Sequence, residues 1–411
     1  MQALQTSAFV FATDLLGEGQ DAVLDNLQGR AGLGGVALAA TYHDARDVFP
    51  HNPRYHVHRH EGDVAWFEPT PGRYRSGLAP QPAAAAGGAD VLASLCDGAQ
   101  RRGMVVDAWT IFLHNSLLAT AHPDCATRNA YGDPYLTDLC PANPRVRDYC
   151  RELAADLSRY PVRSLMAESL HYRPLEHGEH HERYLIELPP QARTLMGLCF
   201  CDHCRRAGRN AGIDADRLAA AVRSALEPVW AGQLAAGPTV GLLGPDARSE
   251  LAAYAGMRAQ VVTGLVAEVR QALAGSGVEL TFIDHGGAMS HVMAGTSADE
   301  DVRLSSHKLG VDVRAVAAAC DRFAVLAYVD TPQRLRAMLA SYAQALGEGA
   351  AWSVALRPLL PDCRNEDNFV QKVSAVLESA ATGVAFYHYA MMPLNRLDWI
   401  AHALGQRRAS A

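Results

Sequence analysis

The sequence predicts a (β/α)8 barrel, an α/β fold in which eight parallel strands close on themselves inside a ring of helices. Short apolar runs rich in Val, Ala and Leu recur eight times between residues 8 and 387, and amphipathic helical stretches separate them. Most of these runs end at a polar residue, which is typical of the active-site face of such a barrel. Because no linker and no surplus apolar unit are visible, residues 1–411 are expected to form a single barrel.

The predicted strands cover residues 8–12, 36–40, 105–112, 162–168, 278–283, 322–329, 352–356 and 384–387. Three long polar loops follow the second, third and fourth strands, and loops of this length are usually functional. The helix after the third strand begins at Pro144 with Asn143 as its cap, which is a matched start signal. The first of the long loops covers residues 42–86, the second reaches residue 140 and the third covers residues 171–198.

Composition narrows the class of protein. The formal net charge of -7 provides no basic surface, so nucleic acid is not an expected partner. No apolar run is long enough to span a bilayer, and the thiols clustered at metal spacing favour a reducing cytoplasm. There is no Gly-x-Ser-x-Gly motif and no glycine-rich phosphate loop, which leaves a serine hydrolase or a nucleotide-binding protein without support.

Three cysteines, Cys199, Cys201 and Cys204, have the spacing of ligands that converge on one tetrahedral ion. A fourth thiol is expected from Cys140, in the context Cys-Pro-Ala-Asn-Pro, and Cys125 in the same loop is the alternative. Zinc with four sulfur ligands has no open position for chemistry, so the predicted zinc site is structural. The other four cysteines have no partners at metal spacing and are expected to be small buried side chains.

The order Cys140, Glu168, Cys199, Cys201, Cys204 resembles the glycoside hydrolase family of microbial beta-galactosidases with a cysteine-bound zinc. In that family a Cys followed by an Asn-Pro or Ser-Pro pair opens the third helix, and the acid/base glutamate ends the fourth strand of a (β/α)8 barrel. The resemblance covers about residues 130–210 with specific motifs. It implies a structural zinc, a carbohydrate substrate and a proton-donating role for Glu168, and because family members often form trimers it also makes a homo-oligomer an option.

Two departures from the family pattern set limits on what the resemblance implies. Ala167 stands where the family has Asn before its glutamate, and Arg357 stands where the family has its nucleophilic glutamate. The fold is therefore expected to be shared, whereas the galactosidase mechanism is not. By its charge, Arg357 is expected to bind an anionic group such as a uronate carboxylate or a phosphate.

Glu168 is the first candidate for catalysis, because glycosidic cleavage needs a carboxylic acid that protonates the leaving oxygen. A long aromatic lid is expected to raise its pKa, whereas the alternative is a glutamate paired with Arg163 or Arg357. The second catalytic carboxylate is expected to be Asp330 or Asp284, and the sequence leaves that choice open.

The candidate substrate-binding residues share a position at a predicted strand end or in a long loop. They are Asp14, His43, Asp44, His51, Asn52, His114, Asn115, His171, Tyr172, His177, His180, His181, His285, Arg357 and His388. The run 176–182 alternates imidazoles and carboxylates, so it is expected to contact substrate, to bind a second metal or to be solvated. The aromatic side chains near strand ends, Trp109, Tyr328, Tyr387 and Tyr389, can stack on a sugar or fill the core.

Two other functions fit the same residues. One is a carbohydrate-binding pseudoenzyme that has kept the barrel and lost the nucleophile. The other is a lyase or isomerase that acts on a sugar through the histidine-rich loop and a second metal.

Overall fold

The computed structural model describes residues 4–176, 182–233, 242–289 and 301–405. Eight parallel strands form a closed barrel, and the prediction of an α/β (β/α)8 fold is confirmed. The barrel strands are β1 (Gln5–Val10), β2 (Gly35–Tyr42), β3 (Val105–Ile111), β4 (Ser164–Glu168), β5 (Glu279–Asp284), β6 (Arg322–Leu326), β7 (Trp352–Leu356) and β8 (Gly383–Phe386).

The barrel closes through β1, which pairs in parallel with β8 on one side and with β2 on the other. The strands follow one another around the ring in chain order, so each connection is a crossover between neighbours. All eight predicted strands are present. β6 ends at Leu326, three residues before its predicted end, and β1 begins at Gln5, three residues before its predicted start.

The strands alternate two kinds of side chain. One face packs outward against the helices, and the other fills the inside of the barrel. Several interior positions carry only alanine, at 37, 39, 324, 355 and 385, whereas Phe9, Trp109 and Met166 are among the large side chains there. Small side chains beside a few large ones leave space at the carboxyl ends of the strands, which is where a barrel active site lies.

The helices that cover the outside mostly begin at side-chain caps. Asn143 accepts from the backbone N–H of Arg145 at 3.0 Å, and Pro144 follows in the first turn, as predicted. The helices longer than one or two turns are Val91–Arg101, Pro144–Leu157, Asp202–Asn210, Ala215–Trp230, Pro245–Ala272, Pro332–Leu346, Glu366–Leu377 and Asn395–Ala403. Shorter ones are Ala12–Glu18, Gln20–Asp25, Ser116–Ala121, Pro190–Met196, Val302–Lys308 and Val313–Ala319. Among the described residues no helix has the length and apolar character needed to cross a membrane.

The loops after β2 and β3 contain strands of their own. Arg46–Val48 pairs with Val57–Arg59 as an antiparallel hairpin, and Ala126–Arg128 pairs with Pro134–Leu139 in the same way. Two short strands, Val64–Ala65 and Gln81–Pro82, extend the barrel sheet beside β2. These loops are therefore ordered walls around the mouth of the barrel.

Candidate active site

A cavity of about 280 Å³ opens at the carboxyl ends of the strands. Its wall combines polar side chains from several strand ends with apolar side chains from the barrel interior and the loops. The polar and aromatic lining residues are Glu168, His171, Arg173, His285, Tyr328, Arg357 and Tyr387. Four of the predicted site residues, Glu168, His171, His285 and Arg357, are thus brought to one cavity.

Glu168 ends β4, and each of its carboxylate oxygens has a hydrogen-bond partner. The indole Nε1–H of Trp109 donates to Oε2 at 2.5 Å, and Nε2 of His285 lies 3.2 Å from Oε1. Both members of the Glu168–His285 pair are largely buried, with side-chain exposures of 16% and 15%. The alternative pairing with an arginine is not found, because Arg163 and Arg357 donate to Asp107 and Asp362 respectively.

A chain of hydrogen bonds connects Glu168 to the backbone through two imidazoles. Nδ1 of His285 lies 2.9 Å from Nε2 of His171, and Nδ1 of His171 lies 2.6 Å from the carbonyl oxygen of Tyr172. A carbonyl oxygen can only accept, so the His171 proton is on Nδ1 and its Nε2 accepts from His285 Nδ1–H. Burial and the charge of His285 hold the pKa of His171 well below its ordinary value, which keeps His171 neutral.

It follows that a single proton is shared between His285 Nε2 and Glu168 Oε1. Burial raises the pKa of Glu168, but the hydrogen bond and charge of His285 and the hydrogen bond from Trp109 outweigh burial, so the pKa lies below its ordinary value. The sequence had predicted a raised pKa, and that expectation was wrong because it did not include His285 as a partner. The carboxylate and the imidazole together can store a proton and deliver it to a bound ligand.

Two arginines, Arg173 and Arg357, also line the cavity. The guanidinium of Arg357 is 3.9 Å from the centre of the Tyr328 ring and donates from Nε to the buried Asp362, while its Nη2 has no partner among the described residues. Arg173 pairs with Asp138 at 3.0 Å, and both side chains are almost fully buried. Each arginine thus has a carboxylate partner, and Arg357 retains donors for an oxygen atom of a ligand.

Neither of the two aspartates expected as the second carboxylate lines this cavity. Asp284 is buried on the outer side of β5, where it accepts from Ser306 Oγ at 2.8 Å and from Tyr342 OH at 2.6 Å. Asp330 is at the surface and pairs with Arg334 at 3.0 Å. Side chains alternate between the two faces of a strand, so Asp284 faces the helices and its neighbour His285 reaches the cavity.

The predicted residues of the other loops are distributed among three settings. His43, Asp44 and His114 line a separate groove beside the cavity. Asn115 caps the helix Ser116–Ala121 by accepting from the backbone N–H of Leu118. Asp14, Asn52, Tyr172 and His388 are buried, His51 is half-buried with its Nδ1 2.8 Å from the carbonyl oxygen of Met392, and none of the five lines the cavity. His177, His180 and His181 lie outside the described residues.

Arg173 is a cavity residue that the sequence reasoning missed, and Trp109 was considered only for stacking or packing. Arg173 follows directly on the predicted pair His171 and Tyr172, so its position in the same loop was an available signal. No local pattern indicates that the Trp109 indole reaches Glu168, because that contact joins two strands.

The four predicted cysteine ligands come together close to this site. The sulfur atoms of Cys140, Cys199, Cys201 and Cys204 all lie within 4.8 Å of one another, and all four residues are buried. The distances from Cys140 Sγ to the other three are 3.5 Å for Cys204, 3.9 Å for Cys199 and 3.4 Å for Cys201. Tetrahedral zinc with Zn–S bonds of about 2.3 Å places its sulfurs about 3.8 Å apart, so the donor set fits a metal ion.

Further contacts connect the cysteine cluster to the cavity. Tyr172 OH is 3.3 Å from Cys204 Sγ, and the carbonyl of the same tyrosine fixes the ring of His171. The backbone N–H of Arg128 is also directed at Cys199 Sγ, at 3.4 Å. Burial raises the pKa of the Cys140 thiol, and a bound cation would offset that cost for four thiolates. Cys125, the alternative ligand, is not part of the cluster.

No protein-family model matches this sequence, and no curated protein matches it either. Solved structures of glycoside hydrolases, however, are similar in fold. Alpha-L-fucosidase isoenzyme 2 from Paenibacillus thiaminolyticus and the beta-galactosidase from the psychrophilic Marinomonas ef1 each superpose with a TM-score of 0.55 at 12% identity. Both alignments cover 98% of this chain, but only 49% and 61% of those two chains.

The catalytic domain of beta-amylase from Paenibacillus polymyxa superposes with a TM-score of 0.54 at 10% identity, over 96% of this chain and 94% of that one. At these identities the likeness concerns the fold alone. The chain thus has a barrel of the kind found in glycoside hydrolases. The specific resemblance to the zinc-containing beta-galactosidases remains a prediction.

Proposed function

We propose that the protein is a glycoside hydrolase in which Glu168 protonates the leaving oxygen of a bound glycoside. The observation that carries the proposal is the single proton shared by Glu168 and His285 at the wall of the cavity that opens at the strand ends. Glycosidic cleavage requires a carboxylic acid at the scissile bond, and Glu168 serves as that acid when the shared proton lies on Oε1. The barrel likeness to a fucosidase, a beta-galactosidase and a beta-amylase supports a carbohydrate as the ligand.

The other cavity residues have roles that follow from their contacts. Trp109 and His285 orient the two oxygens of Glu168, and His171 fixes the tautomer of His285. Arg357 offers Nη2 to an oxygen of the sugar, and the rings of Tyr328 and Tyr387 give it an apolar wall. Asp284 and Asp330 are left out of the mechanism because their carboxylates are engaged outside the cavity.

We also infer that the four-cysteine cluster holds one zinc ion with a structural role. Four sulfur ligands complete a tetrahedral shell, so a metal here would stabilise the loops and would not contact substrate. Through Tyr172 the bound metal would hold the ring of His171, and thereby His285 and Glu168, in place.

The proposed hydrolysis is tested with the full-length chain and a panel of 4-nitrophenyl glycosides that differ in the sugar. For the sugar that is released fastest, Glu168→Gln is expected to lower kcat/KM by about 100- to 10,000-fold without loss of thermal stability. The matched control is Glu279→Gln, at the start of β5 and therefore at the opposite end of the barrel, which is expected to keep full activity. Equal activity of the wild type and Glu168→Gln would contradict the proposal.

A carbohydrate-binding protein without turnover is the second candidate. Among the described residues Glu168 is the only carboxylate that lines the cavity, whereas most glycoside hydrolases use two. This candidate predicts that sugars of the panel raise the melting temperature of the protein while none of the glycosides is cleaved. It also predicts that Glu168→Gln leaves the binding of the sugar unchanged.

A further inference from the structure

A second cavity, here called the groove, lies beside the Glu168 cavity on the loops that follow β2 and β3. It is open, has a volume of about 840 Å³ and is lined by side chains from segments 43–46, 59–63, 114–120 and 136–137. Tyr42 lies between the two cavities: its ring packs on His43, which lines the groove, at 4.2 Å, and its OH is 3.2 Å from the OH of Tyr387, which lines the Glu168 cavity. The two cavities are therefore neighbours, within the reach of one extended ligand.

One wall of the groove is a stack of flat rings. The rings of His43 and His114 are 4.9 Å apart at an angle of 23°, and the ring of Tyr42 packs on His43 at 4.2 Å. Because these stacked rings cover each other's faces, it is mainly their edges that can meet a ligand, and the polar atoms on those edges suit a ligand with hydroxyl groups.

Asp63 lies in the groove and has two features that a loop residue rarely combines. Its backbone has φ of 62°, in the left-handed region that disfavours side chains other than Gly, Asn and Asp. Its side chain is buried, with 6% of the residue exposed, and Oδ1 has no hydrogen-bond partner among the described residues. Oδ2 accepts from the backbone N–H groups of Ser116 at 2.8 Å and Leu117 at 3.3 Å.

A strained backbone and a buried acceptor without a partner are both more common at ligand sites than elsewhere. Burial, partly offset by the two backbone N–H groups, raises the pKa of Asp63 to about 6, so the carboxylate is charged at neutral pH and still lacks a donor. A hydroxyl group of a ligand would supply one.

Several charged side chains of the groove already have partners within the protein. Arg59 pairs with Asp44 at 2.5 Å, and His60 pairs with Asp47 at 3.1 Å. Glu61 accepts from the backbone N–H groups of Ala84 and Ala85. Charges that are paired in this way favour a neutral, hydroxyl-rich ligand over a phosphate or a sulfate, which needs cations of its own.

We propose that the groove binds the further sugar units of a neutral oligosaccharide whose reacting sugar occupies the Glu168 cavity, and that Asp63 Oδ1 accepts a hydrogen bond from one of their hydroxyl groups. The inference rests on the proposed function for the class of ligand. It goes beyond that function in assigning an oligosaccharide, rather than a single sugar, as the substrate.

The test uses two variants of the groove made in the full-length Glu168→Gln background. Thr120→Trp places a large ring at an exposed lining position, and Asp63→Asn removes the charge while keeping an oxygen for the two backbone N–H groups and tolerating the left-handed backbone. Gln100→Trp, at an exposed position on the helix Val91–Arg101, is the matched control for the added ring.

Binding is measured on an array of neutral oligosaccharides and then by titration calorimetry with the oligosaccharides that bind. Asp63→Asn is expected to weaken binding by about tenfold or more, as for the loss of a hydrogen bond to a charged group. Thr120→Trp is expected to weaken binding by about tenfold or more because its ring occupies the groove, while Gln100→Trp leaves binding unchanged. The proposal is overturned if the two groove variants bind as tightly as their parent, or if no neutral oligosaccharide binds.

The outcome for hydrolysis is separate. 4-Nitrophenyl glycosides of a single sugar need only the Glu168 cavity, so their cleavage by the wild type tests the proposed function alone. Cleavage with no effect of the groove variants on oligosaccharide binding would refute the groove and leave the hydrolase. Binding that depends on the groove, without cleavage of any glycoside, would refute the hydrolase and leave the groove.

Discussion

Replacing His285 tests the proton shared with Glu168 more directly than replacing the glutamate. His285→Gln keeps a side chain that can donate to Glu168 Oε1 but removes the ring that carries a proton between Glu168 and His171. The hydrogen bond joins two side chains that are about 15% exposed, so solvent screens it little. A hydrogen bond from a charged imidazole to a carboxylate contributes about 1.5–3 kcal/mol, and a neutral amide donor keeps roughly half of that. The loss of about 0.75–1.5 kcal/mol from the transition state corresponds to a roughly 4- to 13-fold lower kcat/KM.

The pH dependence gives a second readout with a defined sign. His285 lowers the pKa of Glu168 through its hydrogen bond and its charge, so the variant should have a Glu168 with a higher pKa. The basic limb of kcat/KM against pH, which reports ionisation of the proton donor Glu168 in the free enzyme, should then move to higher pH. The assay is release of 4-nitrophenol across a pH series from the glycoside that the wild type cleaves fastest.

The control is another histidine–carboxylate pair that differs mainly in exposure. His402 Nδ1 lies 2.8 Å from Glu366 Oε1, but the histidine side chain is 67% exposed, so His402→Gln should change neither the rate nor the pH profile. If His285→Gln has the rate and the basic limb of the wild type, Glu168 does not depend on His285 and the proton-sharing argument is refuted.

Three further outcomes follow from the structure. The purified chain should contain one zinc ion by elemental analysis, and Cys140→Ser should lose the metal and much of the thermal stability. Cys125→Ser alters a buried thiol outside the cluster and should keep the metal. Equal metal content in the two variants would contradict the assigned ligands. Asp284→Asn and Asp330→Asn should each keep wild-type activity, because neither carboxylate lines the cavity; a loss like that of Glu168→Gln for either one would place it in the mechanism. Burial raises the pKa of Asp284, so its ionisation opposes folding as the pH rises through the folded-state pKa. The melting temperature of Asp284→Asn should therefore increase relative to that of the wild type from acid to neutral pH. A difference that stays constant over this range would show that Asp284 does not titrate in the way its burial implies.

Much of the fold could be predicted because its signals are local. Each barrel strand is a short apolar run bounded by polar residues, and each of the eight was found within three residues of its predicted ends. The cysteine cluster was predictable for a similar reason, since three of its members lie within six residues and Cys140 lies in a recognisable turn before a helix.

The candidate site was predicted only in part. Glu168, His171, His285 and Arg357 were expected at strand ends or in loops and do line one cavity. Asp14 and His388 were expected at similar positions but are buried elsewhere, because a strand end fixes the level of a side chain in the barrel but not the direction in which it points. The Trp109–Glu168 and His171–His285 contacts join residues 59 and 114 positions apart, beyond the reach of any local pattern.

The sequence by itself determined the barrel, the four cysteines that could bind a metal and the glutamate at the end of β4, because hydrophobic period, ligand spacing and strand ends are all properties of neighbouring residues. Only the tertiary structure decided which strand-end side chains share a cavity. Asp284 and His285 are adjacent in the chain, yet the first is held by Ser306 and Tyr342 outside the barrel and the second by Glu168 inside it. The alternation of side chains along a strand gives these neighbours opposite faces, and the closed ring of strands brings His285 to Glu168.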